Sequence, residues 1–364
     1  MGTRARLNEP ALSARDDLAS VVRYAPEQVS ARYRLNTNES PFAPPDQVLV
    51  RIKENLSSAD LNRYPPREAN PLRDKLAAFN SWPEEGVWVA NGSNEVFLHM
   101  LLAFGGPGRT ALTFEPTFPL HSAIARITGT GVVQRVRSRE FLIDLDDAIT
   151  TMDDLGPDLV VVCSPNNPSG GCEPLPTIRT LLERASGLVV VDEAYIEFAT
   201  QEESARTLLD DHPNLVVVKT LSKAWSLAGV RLGYLLGAPE LVKEMERIRI
   251  PYHLSSIAQV AGEAALDGAS ALQKSIDTIT LERDRIAMSL QAMGIVTYPS
   301  RANFILFRVD DAQAVWDRLV RAGVLVRAFS GEDHLEGCLR VTAGLPEEND
   351  AFLEALEEAL DADD

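Results

Sequence analysis

Short continuous apolar runs recur through the middle of the chain: Val87 to Ala90, Ala111 to Phe114, Leu159 to Cys163, Leu188 to Val191 and Leu215 to Val218. They are too short for helices, rich in Val and without alternation, the pattern of strands buried on both faces of a parallel sheet. Between them lie helix-like stretches such as Glu95 to Phe104 and Thr177 to Ala185. The alternation predicts βαβ units with right-handed crossovers. Beyond Val218 the pattern changes. Pro239 to Ile250 reads as a charged amphipathic helix and Ile257 to Met293 as one long Ala-rich helical stretch. Strand-like Asn303 to Val309, a helix over Ala312 to Ala322, strands at Val324 to Arg327 and Cys338 to Thr342, and a final helix then describe an α+β unit. The expected fold is α/β, with a large domain over residues 38–255 built on a mostly parallel central sheet. Residues 1–37 and 256–364 are expected to form a smaller α+β domain.

With 364 residues, 45% of them apolar, the chain has material for a sizeable core, which excludes a disordered tail or a small stapled module. The balance of 35 Lys+Arg against 53 Asp+Glu gives a formal charge of −18, which argues against nucleic acid or an anionic membrane as a partner. Cys163, Cys172 and Cys338 are an odd number, widely spaced and without a CxxC, and read as reduced thiols of a cytoplasmic protein. The N-terminal residues hold no signal-length apolar stretch, and no run approaches the ~18 apolar residues of a membrane span. None of the five histidines falls in an HxxH or HExxH spacing, so no metal site is expected.

In open α/β sheets ligands bind beyond the carboxyl ends of the strands, so the residues that follow each run carry the candidate chemistry. Val87 to Ala90 runs into Asn91-Gly92-Ser93-Asn94-Glu95, which opens a helix; Leu159 to Cys163 runs into Ser164-Pro165-Asn166-Asn167-Pro168-Ser169-Gly170, where two Asn side chains can face a ligand. Leu188 to Val191 runs into Asp192-Glu193-Ala194-Tyr195, and Leu215 to Val218 into Lys219-Thr220-Leu221-Ser222-Lys223, with Gly229-Val230-Arg231 following. Each segment alone reads as a turn, a cap or a surface lysine. Together they supply an amide, a carboxylate, an amine and anion donors: a helix N-terminus at Gly92-Ser93-Asn94, the Ser222 hydroxyl and the Arg231 guanidinium.

That set matches the needs of pyridoxal phosphate, whose aldehyde takes an amine, whose ring nitrogen needs an acidic partner and whose phosphate needs an anchor. A dinucleotide site is the rival. Gly106-Pro107-Gly108-Arg109-Thr110-Ala111 matches GxGxxA, but it follows a helix and leads into a strand, the reverse of the fingerprint's context.

SPNNPSG, VVVDEAYIEF and TLSKAWSLAGVRLGY, in this order and spacing, resemble fold-type I aminotransferases, and in particular the histidinol-phosphate aminotransferase group. LNTNESPFAPP, LNRYPP, ANGSNE, PYHLSS, ANFILF and GCLRVTAGLPEENDAF extend the resemblance over nearly the whole chain. It implies a fold-type I transferase that uses pyridoxal 5'-phosphate and works as a homodimer with composite sites. Lys223 would join the cofactor and carry the proton between substrate Cα and cofactor C4′; Asp192 would pair with the pyridine nitrogen; Asn167 and Tyr195 would hold the phenolate oxygen. Ser93, Asn94, Thr220, Ser222 and Arg231 would surround the phosphate, joined by Tyr64 from the neighbouring subunit. Arg340 would bind the substrate's anionic end, with Tyr24, Asn38 and Arg327 nearby, and Phe118 stands where many members stack a Tyr on the ring. The implied reaction moves an amino group between L-glutamate and imidazole-acetol phosphate, in histidine biosynthesis. An aromatic amino acid aminotransferase and a threonine-phosphate decarboxylase share the same middle motifs.

Overall fold

The computed structural model describes residues 15–21 and 29–361. Its centre is a seven-stranded sheet of β2 (Val87–Ala90), β3 (Thr110–Glu115), β4 (Gly131–Val136), β5 (Leu159–Cys163), β6 (Leu188–Asp192), β7 (Leu215–Thr220) and β8 (Gly233–Gly237), and β1 (Tyr33–Arg34) precedes it in the chain. The strand order is β2-β8-β7-β6-β5-β3-β4. β5, β6 and β7 pair in parallel, as do β3 and β4. Every residue of β2, β5, β7 and β8 is buried, because helices cover both faces.

Two of these strands, β4 and β8, lie in segments that the apolar runs did not single out. Gly233-Tyr234-Leu235-Leu236-Gly237 is bounded by glycines, and β4 alternates with exposed positions at a sheet edge. β8 is antiparallel to both neighbours, β2 and β7. The connection from β7 to β8 is therefore a short return rather than a helical crossover, and it carries Ser222, Lys223 and Arg231.

The helices are α1 (Asp46–Ser57), α2 (Asn70–Asn80), α3 (Ser93–Phe104), α4 (Leu120–Ile127), α5 (Leu145–Leu155), α6 (Leu175–Arg184), α7 (Pro239–Met245), α8 (Ser256–Asp267), α9 (Gln273–Ala292), α10 (Ala312–Arg321) and α11 (Pro346–Asp361). Their starts follow local chemistry: Asp144, Ser255 and Asp311 each accept an N–H of the first turn, and prolines stand at the first turns of α2, α6 and α7. The expected single helix over Ile257 to Met293 is two. Gly268 ends α8 where a side chain would meet Val48 Cγ2 at 2.6 Å, and the chain turns through Ala269–Ala271 before α9 begins. The expected helix over Pro239 to Ile250 likewise tightens into a 3-10 turn at Glu246–Ile248.

A second sheet has the order β12-β13-β10-β9, from β9 (Val296–Thr297), β10 (Phe304–Arg308), β12 (Arg327–Ala328) and β13 (Cys338–Thr342). The strand expected over Val324 to Arg327 divides at Val326. β11 (Val324–Leu325) pairs in parallel with β1, while β12 turns to β13, so Arg327 stands in register with Arg340.

Candidate active site

The carboxyl ends of β5, β6 and β7, the start of α3 and the middle of β13 converge on a cavity of about 270 Å³. Ser93, Asn94, Phe118, Asn167, Asp192, Tyr195, Thr220, Ser222, Lys223, Arg231, Asn38 and Arg340 all line it, so twelve residues proposed from the sequence meet in one place.

Lys223 lies just beyond β7 and donates from Nζ to the Thr37 carbonyl oxygen at 2.9 Å. Burial, with the cations of Arg340 and Arg231, lowers its pKa to about 8. Asp192 ends β6, and its carboxylate is fixed on two sides: Oδ1 accepts from the Ala194 amide at 3.1 Å and Oδ2 lies 2.8 Å from His121 Nε2. Both side chains are almost fully buried. His121 did not stand out in the sequence; it meets Asp192 only because α4 packs beside the sheet, and its imidazole stacks obliquely on Phe97.

Tyr195 is held by Asn38, whose Nδ2 donates to the phenolic oxygen at 3.0 Å, and Asn38 is in turn fixed by Thr342. Because the oxygen accepts here, the Tyr195 proton is left to donate into the cavity, and burial pushes the phenol's pKa up so that the proton stays. Of the two asparagines of SPNNPSG, only Asn167 faces the cavity. Asn166 is fully buried and braces the loop through Thr117, Pro116 and Ser169.

The anion cradle forms where the Ser93 end of α3 meets the β7–β8 return. Thr220 Oγ1 donates to Ser222 Oγ at 2.9 Å, and Arg231 Nη1 reaches Ser222 Oγ at 3.3 Å. Gly92 (φ +84) stands under the Arg231 guanidinium, since a Cβ there would lie 2.5 Å from Nη2. Gly233 approaches so closely that its Cβ would be 2.3 Å from the Ser93 amide nitrogen. Arg231 itself adopts a left-handed backbone (φ 59). Phe118 stands edge-on to His121, with ring centroids 5.5 Å apart.

Arg340, on β13, donates through Nη1 to Asn167 Oδ1 and through Nη2 to the Asn36 carbonyl oxygen at 2.9 Å. Glu336, four positions before Arg340, accepts from the His334 amide at 3.2 Å. Arg327 does not line the main cavity. It faces a cleft beside it and pairs with Glu332 at 2.8 Å. Tyr64 is 79% exposed and stacks on Tyr252 at 4.4 Å, outside the cavity of its own chain. Tyr24 lies outside the described residues.

A second buried cluster that the motifs did not announce lies behind the cavity. Glu193 accepts from Ser204 Oγ and the Ala205 amide and faces Lys219 Nζ at 3.5 Å, which ties the segment carrying Asp192 and Tyr195 to β7. Among the described residues there is no group of three metal-ligating side chains, and no helix is long and apolar enough to cross a membrane.

These residues fit a phosphorylated aldehyde. The amine is poised to lose its proton near neutrality, the carboxylate is oriented for a protonated ring nitrogen, and glycines clear the space around the anion donors.

Known proteins resemble the chain over nearly its whole length. A histidinol-phosphate aminotransferase from Mycobacterium sp. (strain JLS) is 45% identical over 356 residues, covering 94% of this chain and 93% of that one. The namesake from Mycobacterium avium (strain 104) is 43% identical over 354 residues, covering 94% and 88%. Among solved structures, histidinol-phosphate aminotransferase from Sinorhizobium meliloti, in complex with pyridoxal-5'-phosphate, superposes with a TM-score of 0.88 over 98% of this chain and 100% of that one, at 24% identity. The family model of aminotransferase class I and II matches residues 33–356, and the chain belongs to that family.

Proposed function

We propose that the protein is a pyridoxal 5'-phosphate-dependent histidinol-phosphate aminotransferase, exchanging an amino group between L-glutamate and imidazole-acetol phosphate to give histidinol phosphate and 2-oxoglutarate. The observation that carries the cofactor is the single cavity where Lys223, Asp192 and the cradle of Ser93, Asn94, Thr220, Ser222 and Arg231 meet. The names of relatives at 43–45% identity support the substrate.

When bound, pyridoxal phosphate supplies an aldehyde for the substrate amine and a ring that takes up the electron pair released at Cα. The chain does the rest. Lys223 Nζ, half neutral at about pH 8, would accept the proton from substrate Cα and deliver it to the cofactor's C4′, across the nitrogen. Asp192, oriented by His121, holds a proton on the ring nitrogen. Tyr195 and Asn167 would donate to the cofactor's phenolic oxygen; Asn167 Oδ1 is occupied by Arg340, so its Nδ2 is the end presented. Phe118, on the cavity wall, would offer its face to the cofactor ring. Arg340 takes the substrate's anion as a planar fork, with Asn38 and Arg327 beside it.

The working unit is a homodimer in the cytoplasm, with Tyr64 completing the phosphate cradle of the other subunit. The exposure of Tyr64 together with Tyr252, on which it stacks, supports this pairing. The division into a large domain (38–255) and a small one (1–37 with 256–364) is supported by where the two sheets fall along the chain.

A panel of amino donors and oxoacids assayed with purified enzyme tests the reading. Amino transfer between glutamate and imidazole-acetol phosphate is the expected result. Preference for aromatic oxoacids, or release of carbon dioxide from a phosphorylated amino acid, would overturn it.

A further inference from the structure

Arg327 and Arg340 are directly opposed on antiparallel β12 and β13, so their side chains emerge on the same face. Like charges at such a position repel and call for an anion. Phe329 stands between them, its ring centroid 5.5 Å from the Arg327 guanidinium carbon and 5.8 Å from that of Arg340. The cleft they share with Thr117, Asn167, Phe329 and Glu332 measures about 10 Å³, room for about one water molecule. The Glu332 carboxylate fills the remaining place beside Arg327, with Oε1 2.8 Å from Nη2.

Glu332 is only tethered there. Its side chain is 35% exposed, and it follows Gly331 (φ +76), around which an added Cβ would meet nothing within 4 Å. The turn's backbone is held by the Glu332 amide on the Phe329 carbonyl and the Leu335 amide on the Glu332 carbonyl, so rotation of the half-exposed side chain alone would carry the carboxylate into water.

We propose that Glu332 is a resident counter-ion that sets the preference between the two kinds of anionic substrate. A carboxylate monoanion engages Arg340 and leaves the Arg327–Glu332 pair intact. A phosphate dianion, larger and doubly charged, engages both guanidiniums and displaces the Glu332 carboxylate to solvent. Part of the phosphate's binding is therefore spent on ejecting Glu332, which keeps the affinities for the two substrates closer than two arginines alone would leave them. The inference rests on the assignment of a phosphorylated substrate made above.

Glu332→Gln tests it, in the holoenzyme and by two readouts. In the half-reactions, KM for histidinol phosphate should fall about three- to fivefold, the range expected for losing a partly exposed ion pair as competitor, while KM for glutamate stays unchanged. Calorimetric titration with inorganic phosphate should show a tightening of the same size, and Arg327→Gln should abolish both effects of Glu332→Gln. An equal shift for both substrates, a weaker phosphate, or an effect that persists without Arg327 would overturn the proposal. An enzyme that ignores histidinol phosphate would overturn the substrate assignment instead, and the titration with inorganic phosphate would still decide the role of Glu332.

Discussion

Lys223 and Asp192 are held in different ways by their surroundings. Arg340 and Arg231 add to burial in releasing the lysine proton, whereas Asp192 is pinned by donors. The ordinary lysine pKa is 10.5, and with a value of about 8 the amine is half neutral at about pH 8 and still a minor but appreciable fraction at neutrality. Capture of pyridoxal phosphate by cofactor-free enzyme should therefore slow about tenfold per unit of pH below 8 and level off above it, read from the yellow absorbance. Arg340→Gln removes one of the cations that lower this pKa, so the same curve should move to higher pH. Borohydride fixation followed by peptide mapping should label Lys223 alone among the six lysines. His121→Phe should reduce kcat by about ten- to a hundredfold, because a hydrogen bond to a charged group is worth about 1.5–3 kcal/mol, and leave Lys223 labelling intact. An unchanged kcat would remove His121 from the orientation of Asp192. The positions of Asp192, Asn167 and Lys223 at the cavity were legible in the sequence, since each stands at or shortly beyond a strand's carboxyl end. His121 was not legible: its partner is 71 positions away, and only the docking of α4 brings them together.

At the scale of elements, β3, β5, β6 and β7 were legible as unbroken apolar runs, but β4 was hidden because it alternates with exposed positions, and β8 because glycines bound it. The breaks in the helices were equally hidden. Gly268 yields to contact with Val48, a tertiary reason that periodicity does not contain. The reversal of β8 has a functional corollary, for Gly233 begins the strand against the backbone of Gly92 and Ser93. A Cβ there would lie 2.5 Å from the Gly92 carbonyl carbon, so the start of α3 must shift. Gly233→Ala should cost about 1–3 kcal/mol of overpacking. It should weaken cofactor binding, measured by equilibrium dialysis, while Lys223, whose backbone is untouched, still reacts.

For the whole molecule, the cavity draws on both sheets: Lys223 and Asp192 belong to the central one, and Arg340 to the second. The fold class was legible from the succession of runs. That a second subunit completes the site was implied by the resemblance alone, and Tyr64 does not line the cavity of its own chain. Mixing Tyr64→Phe subunits with Lys223→Ala subunits decides that point: in a heterodimer one site carries both defects and the other neither. Activity should reappear above either parent once subunits exchange. If exchange occurs and none reappears, the sites are not shared.

Arg231 holds the anion cradle from a left-handed backbone, and its side chain is exposed. Strain of that kind costs on the order of 1 kcal/mol, close to the ~0.4–1 kcal/mol that glycine's extra freedom gives the unfolded chain. Arg231→Gly would thus leave folding nearly untouched while removing a guanidinium from the site. Any screen that scores variants by abundance or heat resistance would pass this one as harmless, and only a demand for turnover would retain the arginine.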